Sequence, residues 1–126
     1  MALEYELHTR LLAQCPRVFT LTADFGTQRP YVTWQHIGGK AFRWSENTAP
    51  DIRNAAIQVN VWADTKQQAF GMLQAIQEAL CEMTEAKFTA TPMEEPMDSF
   101  IENQSSQETD QVKGAMQSFS IWGERF

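Results

Sequence analysis

A strand pattern that runs directly into a helix pattern occupies residues 53–83 and constrains the fold more than any other feature. Apolar side chains first fall on every second position, which is typical of a strand with one buried face. These side chains are Ile57, Val59, Val61 and Ala63. The apolar spacing then changes to three or four residues, which indicates an amphipathic helix. The helical face contains Phe70, Leu73, Ile76, Leu80 and Met83. We expect this helix to pack on the apolar face of the strand before it.

Residues that begin or end helices and strands divide the rest of the chain into elements. Thr65 and Gln68 have the spacing of a capping box, so either Asp64 or Thr65 should begin the helix. Leu3, Leu7 and Leu11 predict an earlier helix within residues 2–14, which Pro16 would end. Residues 17–23 and 30–37 are rich in β-branched and aromatic side chains, and a loop of hairpin length separates them. Weaker strand candidates are residues 40–44 and 87–91, and the chain closes with a strand pattern around residues 118–122.

These patterns predict an α+β fold, with a mostly antiparallel sheet of four to five strands and two helices packed on one face. The 126 residues suit one domain, and a hydrophobic content of 43% is enough for a core. Polar composition and Gly/Pro content predict mobile loops near residues 38–54 and 92–113. No apolar run could span a membrane and no signal peptide pattern precedes the first helix, so we expect a cytoplasmic protein with free Cys15 and Cys81 thiols.

Charge is unevenly distributed along the chain. Residues 1–76 contain seven Lys/Arg and six Asp/Glu, whereas residues 77–126 contain three Lys/Arg and ten Asp/Glu, which together give the net charge of −6. An acidic chain without a basic stripe is poorly suited to binding a phosphate backbone. The acidic half is either a solvated segment that aids solubility or a docking surface for a basic partner.

No motif indicates catalysis, a cofactor or a metal. His8 and His36 lack cysteines or carboxylates at metal-ligand spacing, and a boundary position on the first helix is the simpler interpretation of His8. Gly38, Gly39 and Lys40 do not form a phosphate-binding loop, because the required glycine and hydroxyl residue are missing. Glu94 and Glu95 form a carboxylate pair in a proline-flanked segment rather than in an evident cleft. The sequence therefore predicts a protein that is not an enzyme.

Four tryptophans are many for this length: Trp34, Trp44, Trp62 and Trp122. Trp62 and Trp122 lie opposite the apolar stripes of their strands. They either pack under a loop or the first helix, or they anchor a protein interface, where tryptophan and arginine are enriched.

Four motifs follow one another along the chain: a short helix before Arg17-Val18-Phe19, then Pro30-Tyr31-Val32, then the strand from Arg53 to Trp62 with its capped helix, and finally the ending Ser118–Trp122. In this order they resemble the tail-terminator, or tail-completion, proteins of long-tailed bacteriophages and prophages. The resemblance covers most of residues 3–122, and the long acidic segment 92–113 departs from the family pattern.

The resemblance implies a homo-oligomeric ring, usually of six subunits, that caps the tail tube and meets the head-tail connector. Partners would be further copies of the chain, the tail tube protein and the connector protein, without nucleic acid sequence recognition and without a membrane. The expected location is the host cytoplasm during assembly and then the virion tail. With the charge asymmetry, the resemblance suggests eight interface candidates: Arg29, Lys40, Arg43, Trp44, Arg53, Trp62, Glu94 and Glu95. Two alternatives remain, a small cytoplasmic protein-binding module without ring assembly and an enzyme whose site is shared between subunits.

Overall fold

The computed structural model describes residues 3–21, 27–39, 52–81, 88–98, 102–103 and 111–124. Lys40, Arg43, Trp44 and the predicted strand 40–44 lie outside these residues. The described elements, in chain order, are α1 (Leu3–Leu12), β1 (Val18–Thr20), β2 (Tyr31–Gly38), β3 (Ile52–Ala63), α2 (Lys66–Cys81), β4 (Phe88–Pro92), β5 (Met97–Asp98), β6 (Glu102–Asn103) and β7 (Gln111–Glu124).

One sheet, with the strand order β1-β2-β3-β7-β4, forms the centre of the molecule. Its middle is a long antiparallel ladder between β3 and β7, which runs from Ile52 opposite Glu124 to Ala63 opposite Lys113. The two-residue strands β5 and β6 pair with other parts of β7. The predicted α+β fold with a mostly antiparallel sheet and two helices is confirmed.

The pairing of β1 with β2 differs from the prediction. The hairpin-length loop implied antiparallel neighbours, but β1 and β2 are parallel, with Val18 opposite Val32. β1 ends before Leu21, whose φ of +69° is not a strand conformation. The Leu21 N–H donates to the Trp34 carbonyl at 2.8 Å. The chain then returns so that the Val32 N–H donates to the Arg17 carbonyl at 2.9 Å.

Two segments that were predicted to be loops contain strand residues. β3 begins at Ile52, so residues 52–54 are in a strand, and segment 92–113 includes β5, β6 and the start of β7. Polar side chains of these described residues are accommodated within the sheet. Asn54, for example, lies opposite Trp122 and donates to the Ser120 hydroxyl at 3.0 Å. The predicted mobility of the two segments stays a prediction.

Both helices pack on the face of the sheet that carries the alternating apolar residues. Leu3, Leu7 and Leu11 of α1 are buried, as predicted. The buried residues of α2 are Ala69, Leu73, Ile76 and Leu80. Phe70, which was predicted to be part of this face, is half-buried at the border of the core. The Lys66 ammonium lies 5.6 Å from the centroid of the Phe70 ring. The α2 N-terminus is capped as predicted, since the Gln68 N–H donates to the Thr65 hydroxyl at 3.1 Å.

The two cysteines are free in the structure, as the sequence predicted. Cys15 is buried and Cys81 is half-buried. Burial raises the pKa of the Cys81 thiol, so this thiol is held in its neutral form.

Candidate interaction surface

The face of the sheet opposite α1 and α2 carries neutral side chains, of which Trp122 is exposed and several, such as Tyr31 and Asn60, are already buried within the subunit. Strand alternation and the β2–β3–β7 register place on it the residues that point away from the helices. We call this surface the distal face; its residues are Tyr31, Thr33, Gln35, Asn54, Ala56, Gln58, Asn60, Trp62, Gly114, Met116, Ser118, Ser120 and Trp122. No charged residue stands among these thirteen, although 10 Lys/Arg and 16 Asp/Glu are present in the chain.

Hydrogen bonds between side chains cross the distal face from strand to strand. The Gln35 amide donates to the Gln58 amide oxygen at 3.0 Å, and the Gln58 amide donates to the Met116 sulfur at 3.3 Å. Because most of these groups are neutral amides and hydroxyls, the face can be covered by another protein surface without the large cost of burying charges.

Trp62 and Trp122 lie at opposite ends of the distal face. Trp62 is half-buried; its indole N–H donates to the Thr33 hydroxyl at 3.1 Å, and its ring centroid is 6.5 Å from that of Tyr31. Trp122 has 36% of its surface exposed, so part of the ring is accessible in the subunit. Both positions fit the large amphipathic anchors found in interfaces, while the Thr33 hydrogen bond also gives Trp62 a role within the subunit.

Trp34, by contrast, belongs to the core. It is 4% exposed, and its indole N–H donates to Nδ1 of His8 on α1 at 3.1 Å. His8 is therefore a half-buried residue between helix and sheet, which agrees with the boundary position expected from the sequence.

The described basic candidates contact carboxylates of the same subunit. Arg29 Nε is 2.8 Å from the Asp64 carboxylate, and Arg53 forms an ion pair with Glu4 on α1. The second Glu4 oxygen is 2.8 Å from Nε2 of His36, so one carboxylate joins α1 to β2 and β3. Burial by itself would raise the pKa of Glu4, but the hydrogen bonds from Arg53 and His36 outweigh it and hold this pKa below its ordinary value.

Glu94 and Glu95 have different surroundings. Glu94 turns towards β7, where its carboxylate accepts the Ser118 N–H at 2.6 Å. The Glu94 carbonyl accepts from the Gln117 amide at 2.8 Å, and the same amide donates to Gln77 of α2 at 2.7 Å. Glu95 is exposed to solvent. Of this carboxylate pair, Glu95 is thus the better placed to contact another molecule.

Sequence reasoning missed Gln117. It is 1% exposed and lies opposite Val59, on the apolar side of the sheet. The available signal was its position in the alternation, because Gln117 falls in the series of Ala115, Phe119 and Ile121. A polar residue in such a series needs buried hydrogen-bond partners. Here the Gln117 amide nitrogen donates to Gln77 and to the Glu94 carbonyl, whereas its buried amide oxygen has no partner among the described residues.

The described residues show neither a membrane span nor a metal cluster. α1 and α2 are too short and too polar to cross a membrane. Within the described ranges, no three His, Cys, Asp or Glu side chains are grouped so that they could hold a metal ion.

Comparison with known families identifies the chain's relatives. The family described as Tail completion protein gp17 matches residues 8–122, which extend from the middle of α1 to the Trp122 position of β7. The chain belongs to this family. The resemblance stated from the sequence motifs is therefore confirmed, and the protein has a structural role in a phage tail, where it contacts other tail or head components.

Other comparisons add little. No curated protein matches the chain. One solved structure aligns over 95% of this chain and 90% of its own, with 13% sequence identity and a TM-score of 0.49. This likeness is too distant to bear on function.

Proposed function

We propose that the protein is a tail terminator, which assembles into a ring, usually of six subunits, caps the finished tail tube and joins it to the head connector. The observation that carries the proposal is the family match over residues 8–122, since it includes nearly the whole described fold. The protein would assemble in the host cytoplasm, remain in the virion tail and catalyse no reaction.

The distal face is our candidate for the main contact surface. It offers Trp122, which is 36% exposed, and half-buried Trp62 among neutral side chains, which suits a contact that excludes water at its centre. Trp44, outside the described residues, remains a candidate for the same role.

Charged residues would act at the rim of the contact, where they steer encounter and set register more than they add affinity. Glu95 is the most available described candidate. Arg29, Arg53 and Glu94 would have to exchange partners that they hold within the subunit, which makes them weaker candidates. Lys40 and Arg43 remain candidates from the sequence.

The proposal is tested in a phage that lacks this gene. We expect tails of uncontrolled length or tails that do not join heads, and we expect the supplied wild-type gene to restore complete virions, as seen by negative-stain electron microscopy. Purified protein added to tubes from the mutant should form rings at tube ends. Normal tails in the mutant, together with protein that stays monomeric beside the tubes, would refute the proposal.

A further inference from the structure

Exposed apolar side chains follow the outer border of the distal face, along the side of β7 that is away from β3. Met97 is opposite Met116, so strand alternation places both side chains on the distal face. Met93 lies further along the same strand, because its N–H donates to the Ser118 carbonyl at 2.9 Å. Together with Trp122, these residues extend over positions 116–122 of β7, which is about 20 Å at the rise of a strand.

These apolar side chains are accessible in the subunit. Met93 is 54% exposed, Met97 is 42% exposed and Trp122 is 36% exposed. They are three of the seven large hydrophobic residues that are exposed in the described part of the chain. Single exposed apolar side chains are normal, whereas neighbouring ones mark a contact site. We call the surface formed by Met93, Glu95 and Met97 the methionine border.

Polar contacts fix the backbone that carries the methionine border. The Glu94 carboxylate accepts the Ser118 N–H at 2.6 Å, and the Glu94 carbonyl accepts from the buried Gln117 amide at 2.8 Å. The Asp98 carboxylate is 3.1 Å from the Lys66 ammonium of α2. The segment is therefore held on its own β7, so a partner does not have to order its backbone. The methionine side chains can still adapt to a partner, because they are unbranched and polarizable.

The charge around the methionine border favours a basic partner. Segment 92–113 contains six Asp/Glu and one Lys/Arg. Glu95, which lies between the two methionines in sequence, is exposed to solvent. An exposed carboxylate attracts lysine and arginine side chains and steers their encounter with the surface.

A second copy of the chain supplies this basic surface poorly, because several of its cations are already paired. Described cations that contact a carboxylate of their own subunit are Arg10, Arg29, Arg53 and Lys66. Each of these ion pairs would have to break before the cation could meet Glu95 of a neighbouring copy. The charge pattern therefore points to a different protein as the partner.

We propose that the methionine border binds a basic surface of the tail tube, with Met93 and Met97 against apolar side chains of the tube and Glu95 beside a lysine or arginine. This inference rests on the proposed function, because it assigns one border of the distal face to the tube that the ring caps. The tube is the partner that the free subunit must first reach by diffusion, and this is the step at which an exposed steering charge acts.

Binding to tail tubes tests the apolar part of the contact. Tubes are purified from the phage that lacks this gene, and bound protein is measured by co-sedimentation over a range of protein concentrations. M93S/M97S should lower the affinity about tenfold or more, because it removes the apolar anchors. M93L/M97L keeps these side chains apolar and should bind like wild type. Leu12→Ser is the matched control, because Leu12 is 43% exposed on α1.

Charge reversal tests the steering carboxylate. Glu95→Lys should lower the affinity for tubes about threefold to tenfold at low salt. The difference should nearly disappear at 1 M salt, where the Debye length is about 3 Å. Glu78→Lys makes the same change of charge on the exposed side of α2 and should bind like wild type. All variants should unfold at the same urea concentration as wild type, because the changed side chains are exposed.

The outcomes separate this inference from the proposed function. Wild-type affinity of M93S/M97S and Glu95→Lys for tubes would overturn the inference and leave the ring in place. Variants that bind tubes as isolated subunits would make the border a contact between copies, and rings that form on tubes but do not join heads would assign it to a head component; both results contradict the inference. If wild-type protein does not bind tubes, the proposed function fails and the inference fails with it.

Discussion

Glu4 on α1 forms an ion pair with Arg53 on β3, and this contact ties the first helix to the centre of the sheet. The two side chains are 28% and 25% exposed, so the pair is partly shielded from solvent. The second carboxylate oxygen of Glu4 contacts His36 on β2, so the same side chain joins α1 to both β2 and β3. Arg53 was selected from the sequence as an interface residue, and the pair gives it a role inside the subunit that must be separated from any role in assembly.

Arg53→Glu should destabilise the subunit by about 1–3 kcal/mol, because it removes a charge-assisted hydrogen bond and places two carboxylates together. Urea denaturation measures the change. The reciprocal variant Glu4→Arg/Arg53→Glu is the control and should recover a substantial part of the loss. An Arg53→Glu subunit that is as stable as wild type but does not assemble would instead make Arg53 an interface residue.

The Glu4 contribution should depend on pH. Because the pKa of Glu4 in the folded protein lies below its ordinary value of 4.5, its stabilising effect is complete at pH values above 4.5 and disappears as the pH falls through the folded-state pKa. Glu4→Gln should therefore be less stable than wild type at pH 7, and the difference should shrink below pH 4.5. A difference that stayed constant over this range would show that titration of Glu4 does not contribute.

Leu73→Ala should lower the free energy of unfolding by about 2–5 kcal/mol, through lost burial and the cavity left behind. Leu73 is 0% exposed on the face of α2 that packs on the sheet. Gln74→Ala changes the next residue of the same helix, on its exposed side, and should stay within about 0.5 kcal/mol. Reversible urea melts measure both, and a loss below about 1 kcal/mol for Leu73→Ala would contradict its place in the core.

Strong periodicity made the central part of the fold predictable from the sequence. The alternation around Ile57 and the helical spacing around Leu73 each identify an element, its buried face and its partner. The parallel pairing of β1 with β2 could not be predicted, because the length of the loop suggested a hairpin and no periodic pattern specifies the relative direction of two strands. β5 was missed for a similar reason: two exposed residues, Met97 and Asp98, carry no periodic signal.

Gly39→Ala should destabilise the protein more than Gly38→Ala. Both glycines have positive φ, +138° and +140°, so either alanine costs about 1–3 kcal/mol in backbone conformation. An added Cβ at Gly39 would lie 2.6 Å from the Asn54 carbonyl oxygen, whereas at Gly38 it would meet open space. Overpacking should add about 1–3 kcal/mol at Gly39 alone. Equal losses in thermal or urea unfolding would show that β3 moves to accommodate the methyl group.

The candidate surface was only partly accessible to sequence reasoning. Alternation placed Trp62 and Trp122 opposite the apolar stripes, and the structure puts both on the distal face. The charged candidates were chosen from segment charge, which does not reveal that Arg53 meets Glu4 or that Glu94 binds the Ser118 N–H. These contacts join residues far apart in sequence, so they follow from tertiary packing alone.

The last prediction tests whether assembly uses the distal face or the side of the subunit that carries α1 and α2. Trp122→Lys places a charge on the uncharged distal face, where Trp122 is 36% exposed, and should lower subunit stability by about 1 kcal/mol or less. If the distal face is covered on assembly, the buried charge should prevent ring formation and leave tails incomplete. Tyr5→Lys is the matched control, because Tyr5 is a 60% exposed aromatic residue on α1, on the opposite side of the sheet from the distal face.

Both variants are compared by urea melts, by ring formation on tail tubes and by the yield of complete virions. Loss of rings with Trp122→Lys and normal assembly with Tyr5→Lys would support the distal face as the contact surface. Normal assembly with Trp122→Lys would show that Trp122 is not buried in the contact, because burying an unpaired charge is costly. Failure with Tyr5→Lys alone would place the contact on the side of α1 and α2.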